Sequence, residues 1–156
     1  MIEREAAKMQ EFSSAGFLVP QILYRSERGL VLSDAGETVE KRLRRLGGSR
    51  LHAARSLLVN CAAEVGKVHM LGLYHGRPHP RDMFVCGDRI GFLDFEEDPA
   101  AVMPLPVAQA RDIFLLLLQT VDDVVDLPKS KARCCWHGKN TPRKRHCMSL
   151  KMCQEC

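Results

Sequence analysis

Val68 to Asp98 read VHMLGLYHGRPHPRDMFVCGDRIGFLDFEED, and this stretch decides the fold. It opens on the end of a helical pattern, passes Gly72 and reaches His75-Gly76. A short loop holding Pro78 and Pro80 follows and stops at Asp82. Two short apolar runs, Met83–Val85 and Ile90–Leu93, then flank Gly87-Asp88, a dipeptide suited to a tight hairpin turn. The second run leads into Asp94-Phe95-Glu96, with Glu97 and Asp98 behind. The layout is therefore helix end, charged loop, hairpin, and a carboxylate at the exit of the second strand.

The flanking sequence supplies elements for that stretch to sit on. Ile2 to Ala15 predicts a helix, with Ala6, Met9 and Phe12 near one face and Gly16 as its stop. Gln21–Tyr24 and Leu30–Leu32 are apolar runs about the polar turn Arg25–Gly29, which predicts a second hairpin. Ser33–Thr38 reads as a polar linker. Val39–Leu46 reads as a short basic helix ended by Gly47-Gly48-Ser49. Leu51 to Leu71 is the longest helical pattern, with Leu51, Ala54, Leu57, Leu58, Cys61, Val65 and Val68 at three- and four-residue spacing. Pro99–Pro106 reads as an extended loop. Val107 to Val121 is a helix apolar nearly all round, a pattern that predicts burial at the domain centre and makes it the most buried element. The periodic signal fades after Leu127-Pro128.

The 156 residues are enough for one ordinary domain with a core. The net charge of +4 is unevenly placed: residues 129–156 carry +7 and residues 1–128 carry −3. The basic character thus says nothing about partners of the body. No apolar run reaches the ~20 residues that a spanning helix needs, so no membrane span is expected. The charged start, MIEREAAKMQEF, has no apolar core of a secretory leader, and the cytoplasm is the expected compartment. Cys61, on the apolar face of a helix, reads as a small buried hydrophobe. Cys134, Cys135, Cys147, Cys153 and Cys156 lie in the tail with His137 and His146. Only Cys153 and Cys156 have metal-ligand spacing, without a clean second pair, so the tail is read as a solvated basic segment rather than a zinc site. Nucleic acid is not the expected partner.

The 68–98 stretch resembles the catalytic core of the protein-kinase-like fold, whose pattern is LH-x-x-G-x-x-H-x-D-x-x-x-x-N, a hairpin, then D-F-G. His69, Gly72 and His75 match, Asp82 stands at the Asn position and Asp94 at the metal-binding Asp, with no gap. The resemblance covers roughly residues 2–121. It is closest to the atypical bacterial branch of lipopolysaccharide-sugar kinases, Rio-type kinases and small-molecule phosphotransferases, whose loops often read HGD-x-H-P-x-N. Here the loop reads HGRPHPRD, residues 75–82. The resemblance implies an α+β, kinase-like fold: a partial N-lobe of helix plus hairpin and a hinge over 1–48, a mostly helical C-lobe core over 49–128, and the tail over 129–156.

The same resemblance implies roles for particular residues. Glu5 falls where the family's helix carries the Glu that pairs with a phosphate-gripping Lys, and the register with Gly16 and Pro20 supports it. The Gly-rich loop and Lys strand that should lie upstream of that helix have no match in this sequence. Leu30–Thr38 would be the hinge whose backbone meets adenine. Asp94 and Asp82 would hold Mg²⁺ on the phosphates of ATP, since Mg²⁺ takes hard oxygen ligands. His75 would be structural, and Asp112 would anchor the catalytic-loop backbone. Arg77 stands where the family keeps its catalytic Asp, and a guanidinium cannot act as a base. It could instead meet a phosphate, Asp82 or Asp94. His79 is the nearest side chain able to take a proton. The implied function is an atypical kinase-like phosphotransferase or a degenerate ATP- and Mg²⁺-binding relative. The alternative is an inactive pseudokinase serving as an interaction module. The acceptor (sugar, lipid, small molecule or protein) is not legible.

Overall fold

The computed structural model describes residues 2–47 and 50–124, with backbone alone at 121–124. The reading of 129–156 lies outside the described residues. The chain is mixed α+β, with four α-helices and two small antiparallel sheets among the described residues. In chain order these are α1 (Ile2–Ser14), β1 (Ile22–Ser26), β2 (Gly29–Leu32), β3 (Glu37–Thr38), α2 (Val39–Leu46), α3 (Leu51–Met70), β4 (Met83–Cys86), β5 (Arg89–Phe92) and α4 (Leu105–Val124).

Local chemistry sets the element ends. Thr38 caps α2: its Oγ1 accepts the Lys41 amide at 3.3 Å. At the end of α3, Gly72 adopts a φ of 74°. The Gly72 amide then donates to His69 O and the Leu73 amide to Val68 O, at 3.0 and 3.1 Å. This pair of bonds is a Schellman cap, and it needs a residue that tolerates the left-handed region. It turns the chain out of α3 and into the His75 loop.

The two hairpins have different environments. β1 and β2 pair with each other and are largely exposed, with Leu30 and Leu32 reaching the core. β4 and β5 are buried apart from their turn. Gly91, opposite Phe84 across this hairpin, has the Phe84 ring against its Cα; a Cβ there would lie 2.2 Å from that ring. Ser33–Thr38 is not wholly a linker. Glu37 and Thr38 form β3, which pairs with β4 as the third strand of its sheet. Two residues are too short to show an alternating pattern, so this strand left no trace in the sequence.

One apolar core joins these parts. Met9 and Phe12 of α1, Val39 and Leu43 of α2, Leu57, Leu58, Cys61, Val65 and Val68 of α3, and Met83, Ile90 and Phe92 of the hairpin belong to the same cluster. Cys61 is buried there as expected, and burial pushes its thiol up to about 12.

α4 corrects its expectation twice. It begins at Leu105, so the Pro99–Pro106 loop is shorter than its composition suggests and holds a 3-10 turn at Pro99–Ala101. It is also not the most buried element. Ala108, Asp112, Leu116 and Thr120 make a single buried stripe at four-residue spacing. Val107, Phe114, Leu117 and Leu118 are each more than half exposed. The physical reason is that, among the described residues, α4 packs mainly on α3.

Candidate functional site

The loop from His75 to Asp82 is held from beneath by α4. Asp112 is fully buried. Its Oδ2 accepts the His75 amide at 2.7 Å and lies 3.2 Å from His69 Nε2, while its Oδ1 accepts the Gly76 amide at 2.9 Å. One carboxylate thus satisfies two buried amides, the anchoring role expected of it. Gln109 adds a clamp one turn away, its Nε2 donating to His69 O and Leu73 O. Gly76, at φ 109°, brings the loop so near the Glu97 backbone that a Cβ would lie 2.5 Å from Glu97 O.

His75 is structural in the way the sequence implied. Its Nε2–H donates to Leu93 O at 2.9 Å, tying the loop to the exit of β5. Its ring packs on Phe95 with centroids 4.9 Å apart, and also on Phe12 and Phe92. Complete burial pushes its pKa down to about 4, so the ring is neutral near pH 7.

Asp94 follows β5 and carries the one positive φ, 60°, found at a non-glycine among the described residues. That conformation costs energy and persists where surroundings fix it. Here the next residue, Phe95, is fully buried against Phe12 and His75, and it plugs the turn in place. Strand exit and loop meet through the Leu93 amide, which donates to Asp82 O at 2.7 Å.

Glu5, Arg77, Asp82 and Asp94 come together. Burial, and then the Asp94 charge, push the Asp82 carboxyl up to about 6. Burial, then Asp94 and Glu96, also raise Glu5. Arg81 Nε meets Asp82 Oδ1 at 3.2 Å, whereas Asp82 Oδ2 is buried with no hydrogen-bond partner. Arg77 reaches Asp94 Oδ2 at 3.8 Å and Glu97 Oε1 at 3.4 Å, and Arg111 holds the other oxygen of Glu97 while donating to Gly76 O. The result is a ladder of charges running Arg81, Asp82, Asp94, Arg77, Glu97, Arg111. His79 caps the 3-10 turn at Pro80–Asp82, its Nδ1 accepting the Arg81 amide at 3.0 Å. That nitrogen's lone pair is engaged within the loop and not turned to an acceptor.

In the sequence, Glu97 reads with Glu96 and Asp98 as an acidic cluster that could bind metal or be a solvated loop; its pairing with Arg111, which has no site role in that reading, is not foreseen. They meet across 14 positions of chain, and an ion pair between a loop and a helix leaves no periodic signal. Lys8 was also missed. It lies one helical turn from Glu5, yet it sits 3.4 Å over the Tyr74 ring and donates to His75 O. Burial lowers its amine to about 8. Lys8 therefore serves the loop and leaves Glu5 without its charge.

No group of three or more His, Cys, Asp or Glu side chains among the described residues converges as a metal site. Mg²⁺ is often held by only one or two carboxylates together with phosphates, and Asp82 with Asp94 supplies that number. The obstacle is Arg77. Unit charges about 4 Å apart at a protein surface interact by roughly 4 kcal/mol, and a divalent ion doubles this. With the guanidinium on Asp94, these residues do not fit a divalent ion.

Comparison with protein-family models, with curated proteins and with solved structures finds no match to this chain. No helix among the described residues is long and apolar enough to cross a membrane.

Proposed function

We propose that this chain is a degenerate kinase-like module that acts by binding rather than by phosphoryl transfer. The observation that carries this reading is the position of Arg77, paired with Asp94 and Glu97. Phosphoryl transfer relies almost wholly on positioning and electrostatics. At the place where the resemblance calls for a carboxylate to orient the acceptor, this chain has a permanent cation. That cation is engaged with the carboxylate assigned to the metal. His79, the other candidate for handling a proton, is used in capping its own loop.

A second reading, retained ATP and Mg²⁺ binding, is favoured by the buried Oδ2 of Asp82, which has no hydrogen-bond partner, and by the Asp94 charge that helps raise the Asp82 carboxyl. It requires Arg77 to leave Asp94 when nucleotide arrives. Calorimetry of the full chain with ATP, with and without Mg²⁺, together with a radiolabel assay for ATP turnover, separates the two. The first reading expects no turnover and no Mg²⁺-dependent binding. Mg²⁺-dependent binding lost in Asp94→Ala would establish the second. Robust turnover abolished by His79→Ala would overturn the binding-only reading and identify the base.

A further inference from the structure

We propose that α4 is the interface of a symmetric dimer, in which its exposed face pairs with α4 of a second copy of this chain and Phe114 of each copy enters the groove between α3 and α4 of the other. The proposal rests on the exposure and spacing of apolar side chains, and it holds whether or not the kinase-like reading does.

Four observations support it. First, every exposed side chain of α4 from Leu105 to Thr120 is apolar, and Phe114, Leu117 and Leu118 are each more than half exposed. A surface helix ordinarily turns charged and polar residues to water. The two charges of this span are both used inward, Arg111 on Glu97 and Gly76, and Asp112 on the His75 loop. Second, Val107, Ala110, Phe114 and Leu117 are exposed at alternating three- and four-residue spacing. That is the spacing by which one helix seats against another along a seam, so the surface fits a helix. Third, a groove of about 310 Å³ adjoins the seam, lined by Val59 and Ala62 of α3 and by Ile113 and Leu117 of α4, with Arg55 its one charged lining residue among the described residues. Leu117 belongs to both seam and groove, so a helix on the seam brings its own side chains to the groove. Fourth, a second copy fits these surfaces. A two-fold axis sets one patch against itself, and an uncharged patch meets its own image without like-charge repulsion. In two antiparallel α4 helices crossing between Phe114 and Leu117, Phe114 of one lies beside Leu117 of the other, at the mouth of the groove. Residues 129–156 hold no four apolar residues at the seam spacing, so the basic tail does not supply a matching helix.

The test is sedimentation velocity of the full chain from about 1 to about 100 μM, a range that reaches interfaces of modest affinity. Reducing conditions keep disulfides from joining copies. The wild type is expected to pass from one chain mass towards two as concentration rises. Ala110→Glu and Leu117→Glu should each weaken association at least about tenfold, since each dimer then buries two carboxylates without partners. Leu23→Glu places the same charge on an exposed leucine of the β1–β2 hairpin and should associate as the wild type does. A wild type that stays monomeric throughout would overturn the proposal and leave this face to a different protein. So would an undiminished dimer in folded Ala110→Glu and Leu117→Glu, or a dimer that only Leu23→Glu disperses. Ala110 is small and exposed, so its variant is the one to read if Leu117→Glu does not fold. Should neither fold, hydrogen exchange in the wild type decides: protection of peptides from 105–124 that grows with concentration supports the dimer, and its absence overturns it.

Discussion

Asp82 and His75 are buried titratable residues on one loop, and their charges act on stability with opposite signs. Asp82 has its pKa raised from 3.8 to about 6, by burial first and by Asp94 second. The folded chain therefore binds this proton more tightly than the unfolded one, and stability falls as pH rises through that window. Asp82→Asn removes the penalty. The variant should be more stable than wild type at pH 8, by about 1–3 kcal/mol, and the difference should vanish near pH 4. His75, lowered from 6.5 to about 4, works the other way: the unfolded chain takes up its proton first, so stability falls as pH drops through that interval. Both chains carry His75, so the difference between their urea midpoints across pH isolates Asp82. An Asp82→Asn protein less stable than wild type at pH 8 would mean that Arg81 and Arg77 outweigh burial and Asp94. The placing of Arg77, Asp82 and Asp94 in one site was legible from their spacing. Asp94 was among the partners foreseen for Arg77; Glu97 was not, because it is fixed by the close approach of Gly76 to the Glu97 backbone, a contact that no spacing rule encodes.

At the scale of elements, the hinge of the structure is the contact between α4 and the His75 loop. Asp112 accepts two backbone amides that have no water to turn to. Asp112→Ala leaves both unpaired and should cost on the order of 1–3 kcal/mol for each donor stranded. Asp112→Asn keeps one acceptor oxygen and should cost less. Chemical denaturation measures the total, and hydrogen exchange at the His75 and Gly76 amides reports the loop directly; unchanged protection in Asp112→Ala would remove the anchoring role. This contact was anticipated only through the kinase-like resemblance, which implies an acid at the place of Asp112 that anchors the loop backbone. The orientation of α4 was not readable. Its sequence is apolar on every side, so periodicity does not say which side meets α3. The buried stripe runs through Ala108, Asp112, Leu116 and Thr120, while Phe114, Leu117 and Leu118 face outward. In the same way, α1, α2, α3 and the β4–β5 hairpin announced themselves by length, caps and alternation, whereas β3 at two residues did not.

For the molecule as a whole, the question is whether the segment before residue 48 and the segment after it melt together. Two lobes joined by a hinge would each bury their own apolar residues. Here Phe12, on α1, is fully buried and meets Phe17, Phe92 and Phe95 with ring centroids 5.6, 5.5 and 4.7 Å away. Two of those three rings belong to the later segment, and so does His75, edge-on at 6.5 Å. The Phe92 amide also donates to Leu18 O at 2.9 Å, which draws the chain after α1 alongside β5. α1 is thus part of the wall behind the charged loop, and it loses its own cover if the later segment unfolds. Phe12→Ala should cost about 3–5 kcal/mol through lost burial and the cavity left behind. That is a large share of the 5–15 kcal/mol, roughly, that holds such a domain folded. The effect should be shared. Hydrogen exchange read by mass spectrometry along a urea series should show peptides from 2–47 and from 50–124 losing protection at one midpoint, shifted equally in the variant. A variant in which α1 and the β1–β2 hairpin open at lower urea, while α3 and α4 keep the wild-type midpoint, would show two units that fold apart. The aromatic cluster around Phe12 would then be an interface between them.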